Sequence, residues 1–224
     1  MTRPAGTGRF IVLEGLDGAG TTTQAQKLGI KLQEEGYRVL VTCEPTDRPV
    51  GRLIRQALTR RLTHRRGDYS FTNQTLALLF AADRLDHLHA EIVPALESGR
   101  VVICDRYLLS SLAYQGTSIV ASWIERINQF AIPPDLTLFL DVDPQIAASR
   151  RVGRVGADEL FDAAELQAQI ARRYRAVTRR HRSSHRVVRI DASKSIEEVT
   201  EGTMRTVQRV LKPTSSRGRD RMPR

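Results

Sequence analysis

Residues 15–23 combine glycines with hydroxyl side chains at a spacing that suits the binding of a phosphate group. Gly15, Gly20 and Thr22 fit the pattern G-x-x-x-x-G-K-[ST]. Small residues let the backbone wrap around a phosphate, and the N–H groups that open the following helix attract anions. The Thr22 hydroxyl lies where this pattern supplies a magnesium ligand. Thr21 stands where the pattern has lysine, so the motif lacks its one formal positive charge.

Two further residue pairs, each of which begins with an acid, follow apolar, strand-like runs. Glu44 and Pro45 follow one run, and Asp105 and Arg106 follow the run 101–104. An acid at the end of such a strand can support a bound magnesium ion. An arginine beside it can bind a phosphate through two N–H groups. The alternative is that Asp105 and Arg106 form a surface ion pair.

An aromatic and a basic residue lie one helical turn apart in a segment with helical periodicity. Phe80 and Arg84 are four residues apart and therefore share a face of this helix. A phenylalanine on a helix is most often part of the core. Here the arginine beside it favours a stacking platform next to a hydrogen-bonding group.

The elements that must position these residues alternate along the chain. Apolar runs predict strands and helical periodicity predicts helices between them. The predicted strands are 10–13, 37–42, 101–104, 136–140 and 187–190. The predicted helices are 22–35, 50–61, 72–89, 92–98, 109–129, 144–153, 165–181 and 196–211. This alternation implies βαβ units and a parallel sheet with right-handed crossovers, whose ligands bind beyond the carboxyl ends of the strands.

Composition limits the class of protein. The chain has 224 residues, with 41% hydrophobic and 27% charged residues, which is ordinary for a globular domain. No apolar stretch approaches the roughly 18 residues of a membrane span, and the first residues carry no apolar signal segment. Cys43 and Cys104 lie in apolar runs without zinc-type spacing, so we expect buried, reduced thiols. We therefore expect a cytoplasmic protein that has no membrane partner.

The net charge of +10 is unevenly distributed. Residues 1–149 contain 16 basic and 16 acidic side chains, whereas residues 150–224 contain 19 and 9. The excess positive charge lies in residues 172–189 and in the tail that begins at Lys212. Nucleic-acid binding would favour aromatic residues among the basic ones, and only Tyr174 is present. We interpret the charge as a solvated helix face with a tail, and expect no specific nucleic-acid partner.

Several segments, in order and spacing, resemble the thymidylate kinase family of P-loop kinases. They are Phe10–Gly20, Glu44-Pro45, Leu79–Arg84, Asp105-Arg106-Tyr107 and Ser110–Gly116. The resemblance covers residues 9–145 and continues loosely to about 210. It implies the α/β P-loop NTPase fold, a three-layer sandwich with a five-stranded parallel sheet flanked by helices and a short mobile LID. We expect one domain over 9–212, a LID at about 150–162, and disordered tails at 1–8 and 213–224.

The resemblance also implies an activity. The family transfers the γ-phosphoryl group of ATP to dTMP, giving dTDP and ADP in dTTP biosynthesis, with Mg²⁺, and usually acts as a homodimer. The substrates implied are therefore ATP and dTMP.

The resemblance assigns roles to residues that match the family's motifs. The ATP phosphates would lie against Gly15, Leu16, Asp17, Gly18, Ala19, Gly20, Thr21, Thr22 and Thr23. The monophosphate would contact Asp17, Glu44, Pro45, Phe80, Arg84, Arg106, Ser111, Tyr114 and Gln115. The metal would be held by Thr22 and Asp105, and the catalytic cations would be Arg106, Arg151 and Arg154.

Some of these roles are specific. Phe80 would stack on thymine, and Arg84 would hydrogen-bond to the base. Arg106 would bridge the donor and acceptor phosphates. Asp17 would approach either the ribose 3′-hydroxyl or a magnesium water. Pro45 would shape the acceptor pocket through a cis peptide bond.

The chain departs from the family pattern at two places. Thr21 replaces the phosphate-binding lysine, and Leu160 stands where the LID run often has arginine. Arg151 and Arg154 are the candidates to replace the missing charge. Two other functions stay open. One is a kinase for another pyrimidine monophosphate, and the other is a nucleotide-binding protein that has lost catalysis through Thr21.

Overall fold

The computed structural model describes residues 8–59, 62–64, 67–68, 71–151, 161 and 163–211. The predicted tails, apart from Gly8, and most of the predicted LID, including Arg154 and Leu160, lie outside these residues. No helix of the described part is both long and apolar enough to cross a membrane.

The elements alternate as the sequence predicts. The strands are β1 (Arg9–Gly15), β2 (Val39–Cys43), β3 (Thr63–His64), β4 (Gly67–Asp68), β5 (Val101–Asp105), β6 (Leu136–Asp141) and β7 (Val187–Asp191). The α-helices are α1 (Thr21–Glu34), α2 (Pro49–Leu58), α3 (Asn73–His87), α4 (Val93–Glu97), α5 (Leu108–Tyr114), α6 (Ala121–Ile127), α7 (Pro144–Arg151), α8 (Ala164–Arg180) and α9 (Ile196–Leu211). The short antiparallel pair of β3 and β4 was not predicted, because its sequence has no apolar alternation.

Five strands form one parallel sheet in the order β2-β5-β1-β6-β7, which confirms the predicted fold class. Strand β1 lies at the centre, between β5 and β6. Its alternate residues point to opposite faces: Ile11 and Leu13 pack into one apolar cluster, and Phe10 and Val12 into another. Both faces of the sheet are therefore covered, as expected for a parallel sheet.

The helix bounds differ from the prediction at two places. The predicted break between helices 72–89 and 92–98 is instead a π-helix at Leu88–Ile92, which joins α3 to α4. Pro94, in the first turn of α4, has no N–H to donate to the preceding turn, which explains a local widening there. The predicted helix 109–129 divides into α5, a 3₁₀ turn at Gln115–Thr117 and α6. Gly116 and the β-branched residues that follow it are weak helix formers.

Candidate functional site

The loop between β1 and α1 has the geometry of a phosphate cradle. Gly18 and Gly20 have φ angles of +89° and +91°, which a residue with a side chain rarely adopts. A Cβ atom at Gly18 would lie 2.2 Å from the carbonyl oxygen of Ala147. No described side chain caps the first turn of α1, and Thr21, Thr22 and Thr23 line the adjacent cavity. Backbone N–H groups at such a helix start bind anions.

The Thr22 hydroxyl meets the carboxylate at the end of β5. Thr22 Oγ1 donates to Asp105 Oδ2 at 2.5 Å. The other carboxylate oxygen, Asp105 Oδ1, is buried and has no hydrogen-bond partner among the described residues. A hydroxyl, a carboxylate and an unpartnered buried oxygen form a donor set that suits a magnesium ion, which prefers oxygen ligands.

Arg106 is held beside this pair in an uncommon backbone conformation. Its φ angle is +70°, and such left-handed conformations of residues other than glycine cluster at functional sites. Its Nη2 donates to Asp17 Oδ1 at 2.6 Å, and its Nη1 donates to the Gly15 carbonyl at 2.8 Å. The guanidinium therefore lies against the phosphate cradle and is not part of a surface ion pair with Asp105.

Glu14, which sequence reasoning missed, fixes the segment that carries Arg106. Its carboxylate is fully buried and accepts from the N–H groups of Tyr107 and Ser110, and from the Ser110 hydroxyl at 2.5 Å. These N–H groups open α5, and Glu14 accepts from them in place of the side chain of the N-cap residue Tyr107. Burial raises the pKa of Glu14, although the bonds from Ser110 and the charge of Arg106 partly offset this. An acid inside an otherwise apolar strand was the available signal.

Helix α3 presents one polar face to the segment that follows β2. Phe80 lines the cavity. Asp83 accepts from the N–H of Thr46 at 2.8 Å and from its hydroxyl at 2.6 Å. Burial raises the pKa of Asp83, and the Thr46 bonds lower it in part. His87, two turns beyond Phe80, lies 3.3 Å from Glu44 Oε1 through its Nδ1.

Arg84 is almost completely buried, with its side chain only 1% exposed. Its Nη2 forms an ion pair with Glu44 Oε2 at 2.7 Å and donates to Ser111 Oγ at 3.2 Å. Its Nη1 donates to Asn128 Oδ1. Its guanidinium carbon lies 5.0 Å from the centre of the Tyr107 ring. The carboxylate of Glu44 is therefore directed to Arg84 and His87.

A further arginine, Arg55 on α2, lines the same cavity as Arg84 and Arg106 and was missed by sequence reasoning. The peptide bond between Glu44 and Pro45 is cis, which agrees with the prediction. Arg55 Nη2 donates to the Pro45 carbonyl. The signal available in the sequence was the position of Arg55 on α2, the helix that follows the Glu-Pro step.

Helix α5 and the turn that follows it form another side of the cavity. Ser111, Tyr114 and Gln115 line the cavity. The Tyr114 hydroxyl donates to Asp17 Oδ2 at 2.8 Å, and Phe161 packs edge-on against the Tyr114 ring with centroids 5.3 Å apart. Gln115 Oε1 is buried without a hydrogen-bond partner in the described ranges. It can accept a hydrogen bond from a ligand.

A single cavity of about 560 Å³ joins these groups. Among the predicted site residues it is lined by Asp17, Gly18, Gly20, Thr21, Thr22, Thr23, Glu44, Pro45, Phe80, Arg84, Asp105, Arg106, Ser111, Tyr114 and Gln115. Gly15, Leu16 and Ala19 are buried behind the loop. Arg151 does not line the cavity, but its Nη1 donates to the Asp17 carbonyl at 3.0 Å. Arg154 lies outside the described residues.

Glu44, His87 and Cys104 offer ligand atoms that lie within 4.8 Å of one another, all buried. Two observations argue against a metal ion at this cluster. Arg84 already neutralises Glu44. Burial holds the pKa of the Cys104 thiol well above its ordinary value, which disfavours the thiolate that a metal needs. We interpret the cluster as polar support beneath the cavity.

Comparison with known proteins agrees with this geometry. A family model described as Thymidylate kinase matches residues 13–202. The chain is 42% identical over 205 residues to "Probable thymidylate kinase" of Pyrococcus abyssi, covering 91% of this chain and 98% of that protein. It is 41% identical over 209 residues to "Thymidylate kinase" of Geobacillus thermodenitrificans, covering 89% of each chain. It is 37% identical over 210 residues to "Thymidylate kinase" of Thermomicrobium roseum, covering 91% of this chain and 96% of that protein.

The family model includes most of the parallel sheet and all of the residues that line the cavity. The chain belongs to the thymidylate kinase family.

Proposed function

We propose that this protein transfers the γ-phosphoryl group of ATP to dTMP, giving dTDP and ADP. One observation carries the proposal: a single cavity is lined both by the phosphate cradle and by Phe80 and Arg84 of α3, and Arg106, which contacts the cradle, also lines it. A donor phosphate and an acceptor phosphate can therefore meet in one space.

The donor side is built for phosphates and for a metal ion. Backbone N–H groups at the start of α1 donate hydrogen bonds to the phosphate oxygens of ATP. Thr22 and Asp105 would hold Mg²⁺, and the unpartnered Asp105 Oδ1 supports this assignment. When bound, the ion neutralises part of the phosphate charge.

The acceptor side suits a pyrimidine deoxynucleotide. Phe80 offers a ring face to the base, and Arg84 offers hydrogen-bond donors to a carbonyl on its edge. Arg55 supplies positive charge for the acceptor phosphate, next to the Glu44–Pro45 step. Tyr114 and Asp17 form the wall nearest to the sugar.

The reaction needs positioning and positive charge more than a base. An oxygen of the acceptor phosphate attacks the γ-phosphorus, and the bond from that phosphorus to the β–γ bridging oxygen breaks. The attacking oxygen is already negative, so no proton has to be removed. Arg106 neutralises the transferring group, and Arg151 and Arg154 are the candidates to replace the lysine absent at Thr21.

The test is ADP formation by the purified protein with ATP and Mg²⁺. The acceptors dTMP, dUMP, UMP, CMP and AMP are added separately. Turnover that strongly favours dTMP supports the proposal, whereas preference for another acceptor would assign a different pyrimidine kinase. If the protein binds nucleotides but phosphorylates none of the acceptors, this would indicate that catalysis was lost through Thr21.

The Thr21→Lys variant examines the missing charge in the same assay. We expect it to keep or raise turnover, because the loop has the dihedral angles of a phosphate cradle. A complete loss would mean that the site is built around the uncharged residue.

We also propose that the protein acts as a homodimer. Exposed apolar side chains support this: Leu78 on α3, and Val120 and Phe130, which lie before and after α6. Light scattering of the purified protein tests it, and a monomer at micromolar concentration would overturn it.

A further inference from the structure

Asn128, the residue that ends α6, contacts Arg84 from outside the cavity. It is buried, with 5% of its surface exposed, and does not line the cavity. Its Oδ1 accepts from Arg84 Nη1, and its Nδ2 donates to the Ile124 carbonyl at 2.9 Å. The Ile124 carbonyl can only accept and Arg84 can only donate, so the orientation of the amide is chemically determined.

Arg84 is fixed from several directions. Glu44 supplies the opposite charge at 2.7 Å, Ser111 accepts from the same nitrogen, and Tyr107 lies against its guanidinium. Glu44 and Ser111 contact Nη2, whereas Nη1 donates to Asn128. The Nε–H of Arg84 is buried and has no partner in the described part of the chain.

Loss of the Asn128 oxygen would leave Nη1 of Arg84 without its acceptor, in addition to the Nε–H that already has none in the described part of the chain. Buried donors without a partner are costly, and more so when they are charged. Without this acceptor, the plane of the guanidinium would be held only by Glu44, Ser111 and Tyr107. The base would lose an aligned partner, although no substrate contact has been removed directly.

We infer that Asn128 is a positioning residue for base recognition, which acts by fixing the plane of Arg84. This inference rests on the proposed function, because it assumes that Arg84 binds the base of dTMP. Asn128 lies at the end of α6, outside the segments that carry the phosphate and nucleotide motifs.

The Asn128→Ala variant tests the inference. We expect KM for dTMP, and the dTMP dissociation constant measured by calorimetry, to rise about tenfold, the effect of about 1.4 kcal/mol. KM for ATP should stay within about twofold, because the phosphate cradle lies on other elements. Asn73→Ala is the matched control. Asn73 donates to Ser118 Oγ at 2.7 Å on the protein surface and touches neither the cavity nor Arg84, so its KM for dTMP should equal that of the wild type.

A double-mutant cycle separates positioning from simple structural support. If Asn128 acts through Arg84, adding Asn128→Ala to Arg84→Ala should not weaken dTMP binding further. Additive effects, or equal rises in KM for ATP and dTMP, would assign Asn128 a purely structural role. An unchanged dTMP constant in Asn128→Ala would also overturn the inference.

The wild-type protein distinguishes this failure from failure of the proposed function. If the wild type binds dTMP without turning it over, the calorimetric comparison still decides the role of Asn128, while the kinase proposal fails. If the wild type does not bind dTMP at all, both fail together.

Discussion

At the scale of single residues, the site depends on a few charges held by neutral or opposite partners. Arg106 is held by Asp17 and by the Gly15 carbonyl, and Arg84 by Glu44. Each guanidinium is therefore oriented before any ligand arrives. Preorganised charge is worth more than charge that must reorient during the reaction.

Arg106→Ala should nearly abolish turnover while leaving the fold intact. One well-placed arginine can contribute on the order of 10³ to 10⁵ in the rate of phosphoryl transfer. We expect kcat for dTMP to fall by about 10³ or more, with a circular dichroism spectrum like that of the wild type. Near-normal turnover would remove Arg106 from the catalytic role.

Glu14→Gln should change how stability depends on pH. Burial raises the pKa of Glu14 above its ordinary 4.5, so the folded protein binds more protons than the unfolded chain above that pH. The stability contributed by the protonated carboxyl is therefore complete below pH 4.5 and is lost as pH rises through the folded pKa. We expect the variant to gain stability relative to the wild type as pH rises from 4.5 towards neutral, measured as the difference in urea unfolding free energy. A constant difference across this range would contradict the assignment.

At the scale of elements, α3 fixes the segment that follows β2. Asp83, Arg84 and His87 lie on one face of the helix and contact Thr46 and Glu44. The same face carries Phe80 into the cavity. Buried hydrogen bonds and an ion pair therefore join the segment after β2 and the cavity-lining face of α3 into one unit.

Asp83→Asn should loosen this unit. The asparagine has one acceptor oxygen for two Thr46 donors, and its amide hydrogens would face the other donor. We expect the unfolding free energy to fall by about 1–3 kcal/mol, as for a buried group left unsatisfied. We also expect KM to rise more for dTMP than for ATP.

Asp86→Asn on the same helix is the control. Its carboxylate pairs with Arg48, and both side chains are more than a third exposed. Surface ion pairs contribute about 0–1 kcal/mol, so this variant should stay close to the wild type. Equal losses in the two variants would show that charge on α3, and not the Thr46 contact, matters.

At the scale of the whole molecule, ligands should bind across several elements at once. The cavity is lined by the loop after β1, by α2, α3 and α5, and by Phe161 beyond α7. A nucleotide seated there contacts parts of the chain that are far apart in sequence. Binding to the folded state alone then stabilises the whole domain.

We therefore expect dTMP to raise the thermal unfolding temperature. A ligand at one hundred times its dissociation constant adds about 2.7 kcal/mol of stability. CMP at the same concentration should give a much smaller shift, because its exocyclic amino group offers a donor to Arg84, which can only donate. Equal shifts with dTMP and CMP would show that Arg84 does not select the base.

The sequence by itself determined the alternation of strands and helices, the phosphate cradle and the residues at the strand ends. These are local properties, since each depends on periodicity or on the spacing of a few neighbouring residues. The placing of Phe80 and Arg84 on one helical face belongs to the same class, whereas the cis bond at Pro45 was expected from the family resemblance. The segments that carry the family motifs also contribute residues that line the observed cavity.

Only the tertiary structure decided which polar groups meet. Glu14 lies 93 residues before Tyr107 in sequence, and Arg84 lies 44 residues before Asn128, yet each pair shares a hydrogen bond. Arg55 reaches the cavity only because α2 packs against α3. A local pattern can mark a residue such as Glu14 as unusual, but it does not identify the partner that the residue meets. Their role follows from burial: a buried charged group needs a hydrogen-bonding or oppositely charged partner, and the fold determines which residue supplies it.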